Sequence, residues 1–91
     1  MKIDFKKSFA KDLKQRSNDR SLMSQLQEVI LDVENATTLA EVKNLKKLKA
    51  DGFYWRIKIG AYRVGLKVTD QTIVFVRFLH RREIYRYFPP K

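Results

Sequence analysis

The 91-residue sequence contains no cysteine, only three glycines and only two prolines. Without cysteine, the chain can have no disulfide framework, thiolate metal site or cysteine nucleophile. No segment approaches the roughly 18 consecutive apolar residues of a transmembrane helix, and the N-terminal MKIDFKKSFAKDL lacks the apolar run of a signal peptide. We therefore expect a soluble, cytoplasmic protein without a membrane partner. The length predicts a single domain over residues 1–91.

Acidic side chains are scarce in the second half of the chain. Residues 1–42 contain seven Lys or Arg and seven Asp or Glu, whereas residues 43–91 contain thirteen basic and three acidic residues. The whole net charge of +10 therefore lies in residues 43–91. Such a concentration of cations indicates a polyanionic partner. A membrane surface is usually bound by a basic amphipathic helix. Because the cations here lie mainly on strand-like and loop-like segments, nucleic acid is favoured.

The first half of the chain predicts a strand and two helices. Residues 1–5 alternate apolar and polar side chains, which is typical of a short strand. Ser8 is a candidate N-cap for a first helix, with Phe9 and Leu13 on one face. After a break at Asn18-Asp19, a second helix is indicated by apolar residues at helical spacing, namely Leu22, Leu26, Val29 and Val33. The short break predicts an antiparallel helical hairpin.

The second half of the chain predicts strands. The pair Thr38 and Glu41 matches a capping box for one more short helical turn, and a basic segment follows over 43–49. Asp51-Gly52 is typical of a turn. Residues 53–59 and 62–68 alternate apolar and polar side chains, and after a turn at Asp70-Gln71, residues 72–79 are apolar almost throughout. The order β-α-α-β-β-β predicts an α+β fold: an antiparallel sheet of about four strands, the first at an edge, with the helices on one face.

The segment WRIKIGAYRVG predicts an unusual meeting of cations. A two-residue turn at Gly60-Ala61 places Lys58 opposite Arg63 and Arg56 opposite Gly65, all on one side of the pleat. Like charges directly opposite each other destabilise a sheet, and an anion between them would remove the repulsion. Gly65 is expected to leave space for a ligand backbone. The alternative is a solvated sheet face whose lysines discourage edge-to-edge aggregation.

If the anion is an RNA phosphate, these residues suit cleavage without a metal. Lys58 is the best candidate for the base that deprotonates the 2′-hydroxyl, because neighbouring cations disfavour the protonated form of a lysine. Arg63 and Arg56 keep their protons and suit stabilisation of the phosphate charge. The sequence has no carboxylate cluster for Mg²⁺, so we expect neither a metal nor another cofactor.

The C-terminal segment HRREIYRYF offers further candidates. His80 is either an acid or base, or a structural histidine. Arg81 or Arg82 could brace the phosphate or assist the leaving 5′-oxygen. Tyr85 could stack on an exposed base or belong to an aromatic lid over the core. The side chains that we expect to bind RNA without reacting are Arg56, His80, Arg82 and, in the basic segment, Lys46, Lys47 and Lys49.

The segments YWRIKIGAYRVGLKV and TIVFVRFLHRREIYRYF, preceded by the basic segment and the helical hairpin, resemble the RelE/ParE superfamily of bacterial toxins. The likeness is sharpest over 60–65 and 80–85 and favours the RelE-type branch. It implies a metal-independent endoribonuclease that cuts mRNA in the ribosomal A site and is neutralised by a cognate antitoxin. Operator DNA would be bound only indirectly, through that antitoxin.

The resemblance also implies residue roles. Lys58 corresponds to the family's general base and Arg63 to its phosphate-stabilising arginine, while Arg56 stands where some members have lysine. Arg81 resembles the leaving-group arginine, and Tyr85 the aromatic residue that orients the mRNA. Arg82 competes with Arg81, since the spacing to the tyrosine is shorter than in some members, and His80 stands where several relatives carry histidine.

Two other functions fit the same fold. A ParE-type toxin inhibits DNA gyrase through a protein target and does not need Lys58 as a base. A non-catalytic module would only bind the acidic antitoxin and help it repress DNA. The basic residues and the tyrosine favour the ribonuclease.

Overall fold

The computed structural model describes residues 1–49 and 52–90 and has five strands and three α-helices in them. A 3₁₀ turn at Leu39–Glu41 follows the second helix. In chain order the elements are β1 (Lys2–Phe5), α1 (Lys7–Gln15), α2 (Arg20–Asn35), β2 (Leu45–Lys47), β3 (Tyr54–Ile59), β4 (Tyr62–Thr69), β5 (Thr72–His80) and α3 (Ile84–Tyr87).

The strands form one mixed sheet in the order β1-β5-β4-β3-β2. Strand β1 runs parallel to β5 at one edge, and the other neighbours are antiparallel. The predicted α+β class and the edge position of the first strand are thus confirmed. The expectation of about four strands missed β2, in which Leu45 pairs with Ile57. This strand has only three residues, and its two successive lysines conceal the alternation of a strand.

The helices begin close to the predicted positions. Asp19 caps α2, since its Oδ1 accepts a hydrogen bond from the Leu22 N–H at 3.0 Å, and the predicted break is confirmed. The prediction of Ser8 as the first N-cap is wrong. Lys6 occupies that position, and the Ser8 hydroxyl instead donates to the Val76 carbonyl at 2.6 Å. No helix in the described part of the chain is long and apolar enough to cross a membrane.

The capping box after α2 is present, as predicted. Glu41 Oε2 accepts a hydrogen bond from the Thr38 N–H at 2.9 Å. This bond, together with those from Thr37, lowers the pKa of Glu41. In the predicted Asp51-Gly52 turn, Asp51 lies outside the described residues, and Gly52 has a φ of +80°.

The main core lies between the helical hairpin and one face of the sheet. Apolar side chains of α1 and α2 pack there on inward-facing residues of β3, β4 and β5. Burying an aliphatic or aromatic side chain of this size stabilises a fold by roughly 1.5–3 kcal/mol. The fully buried members from the helices are Phe9, Leu26 and Val33, and those from the sheet are Ile57, Val64, Leu66, Ile73, Phe75 and Phe78.

Helix α1 also completes the edge of β5, which extends beyond the end of β1. The Lys6 N–H donates to the Phe75 carbonyl at 2.9 Å, where the pairing of the two strands ends. Asp12 Oδ2 then accepts from the Phe78 N–H at 2.9 Å and from Arg77 Nε at 2.7 Å. Among the described residues, Asp12 is the one buried charged side chain. Its hydrogen bonds offset the cost of burial.

The two predicted helices share one face of the sheet, as expected, whereas α3, which the sequence pattern did not predict, lies on the opposite face. Ile84 and Phe88 are fully buried there against Leu79, with Tyr54 packed around them. The Phe88 ring covers Gly65, where an added Cβ would lie 2.7 Å from its Cδ2 atom. The expectation that Gly65 leaves space for a ligand is therefore wrong, because Phe88 fills the space.

We predict that Gly65→Ala destabilises the protein by about 1–3 kcal/mol, since the new methyl group overpacks the contact with Phe88. In a Phe88→Ala background the same substitution should cost nothing or stabilise the strand. Urea unfolding of the single and double variants forms a double-mutant cycle. Equal costs in both backgrounds would show that Phe88 is not what requires a glycine at this position.

Candidate nucleic-acid interface

The β3–β4 hairpin has the predicted two-residue turn. Gly60 has a φ of +55°, in the left-handed region that residues with a Cβ atom rarely adopt. The structure confirms the predicted register: Lys58 pairs with Arg63, and Arg56 pairs with Gly65. Three basic side chains therefore share one side of the pleat, on the face opposite the helical hairpin.

Strand β2 adds a second pair of like charges to this face. Lys46 lies directly opposite Arg56, next to the Lys58–Arg63 pair. We call the four residues Lys46, Arg56, Lys58 and Arg63 the cationic face. Cross-strand neighbours of like charge repel each other. Two such pairs side by side thus cost folding free energy that a bound anion would recover.

Two more lysines surround an aromatic ring beside the cationic face. The Nζ atom of Lys49 lies 5.8 Å from the ring centroid of Tyr54, and that of Lys67 lies 6.0 Å from it. The same ring packs edge-on against Phe88, with centroids 5.6 Å apart. The positive region thus continues along the sheet to the edge of the α3 packing.

The two arginines of the cationic face are held by backbone carbonyls. Arg56 Nη1 donates to the Asn44 carbonyl at 2.9 Å. Arg63 Nη1 donates to the Gly60 and Tyr62 carbonyls at 2.8 and 2.9 Å. Lys58 is exposed and lies directly opposite Arg63 in the strand pairing. Such an arrangement suits a phosphate, which would accept hydrogen bonds from the oriented arginines.

The C-terminal segment approaches the cationic face through β5. Leu79 pairs with Arg63, and the backbone N–H of Arg81 donates to the Ala61 carbonyl at 2.8 Å. Tyr85 follows the buried Ile84 and is 56% exposed. The side chain of Tyr85 therefore takes no part in the lid, which Ile84 and Phe88 form. It remains available for stacking.

Not all the predicted site residues lie on this face. His80 pairs with Tyr62 on the side of the helical hairpin, and their rings meet edge to face with centroids 5.5 Å apart. Its Nδ1 atom accepts a hydrogen bond from the Arg82 N–H at 3.1 Å. Lys47 pairs with Trp55, also on the hairpin side. The structure therefore does not bring His80 and Lys47 together with Lys58, and the exposed Arg82 follows Arg81 in the turn before α3.

Part of the site has no signal in the sequence. The pairing of Lys46 with Arg56 depends on the strand β2. The sequence conceals this strand, because its lysines are consecutive and do not alternate with apolar residues. The contacts that orient Arg56 and Arg63 are made to backbone carbonyls, which every residue possesses. A motif search cannot find them, although the two-residue turn places the carbonyls of Gly60 and Tyr62 within reach of Arg63.

The comparisons with known proteins find relatives that are described as toxins. A family model described as the ParE toxin of the type II toxin-antitoxin system parDE matches residues 3–85. Toxin RelE3 of Methanocaldococcus jannaschii is 40% identical over 90 residues, which cover 98% of this chain and 100% of that protein. The chain is similar in structure to the RelB-RelE antitoxin-toxin complex of Methanococcus jannaschii, with a TM-score of 0.78, 38% identity and coverage of 94% and 99%.

A more distant structure shares the fold alone. The E. coli DinJ-YafQ complex contains a chain that matches with a TM-score of 0.72 at 21% identity. The match covers 91% of this chain and 96% of that one.

We predict that Lys58→Gln stabilises the protein at low salt by about 0.2–1 kcal/mol, because it removes a pair of like charges. The gain should shrink toward zero at about 1 M salt, where the Debye length is about 3 Å. Urea unfolding at several NaCl concentrations measures both effects. Lys47→Gln, on the other face of the sheet, is the matched control. A gain that is equal in both variants would contradict repulsion between Lys58 and Arg63.

Proposed function

The chain belongs to the RelE/ParE superfamily of toxins, and we propose that it is a ribosome-dependent endoribonuclease that cuts mRNA in the ribosomal A site. The observation that carries this proposal is the Lys58–Arg63 cross-strand pair, flanked by Arg56. These side chains repel each other in the free protein, whereas a phosphate that lies between them would attract them all. The exposed ring of Tyr85 near the same end of the sheet supplies a surface for an unstacked base.

In the proposed reaction the ribose 2′-oxygen attacks the adjacent phosphorus. Lys58 takes the 2′-hydroxyl proton as the general base. Arg63 and Arg56 neutralise the charge on the pentavalent phosphate. The bond from phosphorus to the 5′-oxygen then breaks with Arg81 donating a hydrogen bond to that oxygen. A solvent proton completes the 5′-hydroxyl, because an arginine keeps its own protons. The products are a 2′,3′-cyclic phosphate and a 5′-hydroxyl end.

The surrounding lysines would bind the mRNA on either side of the reacting phosphate. Lys46 lies on the cationic face. Lys49 lies next to that face, beside the ring of Tyr54. Contacts of this kind are made to phosphates and carry no base information. They predict binding that weakens steeply with salt. Arg82, which is exposed next to Arg81, is the second candidate for contact with the leaving group.

A cognate antitoxin is the proposed protein partner. The similar toxin of M. jannaschii forms an antitoxin-toxin complex, and so does the YafQ chain that shares the fold. A net charge of +10 favours a partner with acidic segments. We propose that this antitoxin neutralises the toxin and connects it to operator DNA.

Gyrase inhibition is the second candidate, because the matching family model is described as a ParE toxin. That activity would act through a protein surface and would not require the amine of Lys58. The pairing of Lys58 with Arg63 and the exposure of Tyr85 favour RNA as the target.

The test is a purified translation reaction in which mRNA ends are mapped by primer extension. We expect the wild-type protein to produce new ends at A-site codons and to leave free RNA almost intact. Lys58→Ala and Arg63→Ala should each lower the cleavage rate by about 100-fold or more, since each removes a group that acts on the reacting phosphate. Lys47→Ala, on the opposite face, serves as the matched control.

Intact mRNA together with inhibited DNA supercoiling would favour gyrase as the target. If mRNA stayed intact and gyrase were not inhibited, the remaining candidate function would be that of a non-catalytic module that binds the antitoxin. If cleavage persisted in the Lys58→Ala/Arg63→Ala double variant, the reaction would belong to other residues.

A further inference from the structure

Three consecutive carbonyl groups of the β3–β4 turn accept hydrogen bonds from two arginines of the proposed site. Those of Gly60 and Tyr62 accept from Arg63 Nη1 at 2.8 and 2.9 Å. Between them, the Ala61 carbonyl accepts from the backbone N–H of Arg81 at 2.8 Å. One short turn therefore contacts both the arginine assigned to the phosphate and the arginine assigned to the leaving oxygen.

The contacts to Arg63 determine how its remaining donors point. A guanidinium group carries five N–H donors in one rigid plane. Because two carbonyls bind Nη1, the orientation of this plane is set, and with it the direction of the donors on Nε and Nη2. Donors that are oriented before the substrate binds need no reorganisation in the transition state.

The contacts at Arg81 determine where the chain leaves β5. After the bond to Ala61, the Glu83 N–H donates to the His80 carbonyl at 2.8 Å. The Arg82 N–H donates to His80 Nδ1, and the His80 ring rests against Tyr62. The path from β5 into α3 is thus fixed at several consecutive residues, beginning at the turn.

We propose that the turn Gly60–Tyr62 is a positioning element that holds the guanidinium group of Arg63 and the backbone of Arg81 as one unit beside the reacting phosphate. This inference rests on the proposed ribonuclease function and assigns a role to backbone groups that do not react. It requires a two-residue loop, because a third residue would redirect all three carbonyls. The left-handed φ of +55° at Gly60 is part of that geometry.

The test is the insertion of one glycine between Gly60 and Ala61. The sheet offers a matched control, the two-residue turn Asp70-Gln71 at the other end of β4, where Asp70 has a φ of +49°. A glycine inserted there lengthens a loop of the same sheet by the same amount, so the general cost of loop closure is similar. Stability is compared by urea unfolding, and cleavage by the single-turnover rate on ribosomes that carry a 5′-labelled mRNA.

We expect the Gly60 insertion to lower the rate at saturating toxin by about 100-fold, the loss that a small misplacement of reacting groups can cause. The concentration for half-maximal rate should change by less than about threefold, because the lysine contacts to the RNA remain. The Asp70 insertion should keep the wild-type rate. NMR of ¹⁵N-labelled arginine adds a readout of geometry: the Nη1 protons of Arg63 should be slow to exchange in the wild type and fast in the Gly60 insertion.

A second pair of variants keeps the test decisive if an insertion unfolds the protein. Gly60→Ala adds a Cβ that meets no atom within 4 Å, so it acts only through the left-handed backbone. Asp70→Ala places the same residue in the same conformation at the control turn. A lower rate in Gly60→Ala alone supports the proposal.

Equal rates in the Gly60 and Asp70 variants would overturn the positioning role while leaving the ribonuclease intact. Slow cleavage with unchanged exchange of the Arg63 protons would also overturn it, since the turn would then act by another route. A wild-type protein that cuts no mRNA would instead refute the proposed function itself.

Discussion

The contact between Phe88 and Gly65 determines what the second face of the sheet can do. Without it, this face would be an open surface of mixed apolar and basic side chains. With it, α3 covers the apolar part, and the cationic face remains open beside it. The same contact places Tyr85 in solvent, because Ile84 and Phe88 are the side chains of the segment that turn inward. A single residue without a side chain thus marks the boundary between the packed region and the cationic face.

The charged side chains of this protein occur in two opposite kinds of environment. Asp12 is buried, and its carboxylate oxygens accept hydrogen bonds from Arg77 and from the β5 backbone. The basic side chains at Lys58 and Arg63, in contrast, face each other across two strands with no opposite charge in that pairing. The first arrangement is what folding requires of a buried charge. The second is a cost to folding, and it is typical of a site whose groups are set for a ligand rather than for stability.

Much of this could be predicted from the sequence, because the relevant signals are local. Strict alternation and the Gly60-Ala61 dipeptide predict the β3–β4 register, and this register alone places Lys58 opposite Arg63. The failures concern long-range contacts. Ser8 has the chemistry of an N-cap, but β5 uses its hydroxyl. The sequence predicts open space at Gly65, because it does not show that Phe88, which is distant in the chain, packs against this glycine. The orientation of Arg63 depends on backbone carbonyls, which carry no residue-type signal at all.

The parallel pairing of β1 with β5 has a consequence for synthesis of the chain. Lys2 pairs with Thr72, so the first strand and α1 must wait for a partner that lies about seventy residues later in the chain. Until Thr72–His80 has left the ribosome, the β5 edge that α1 completes does not exist, and the main core lacks Phe75 and Phe78. The nascent chain therefore cannot assemble its core early.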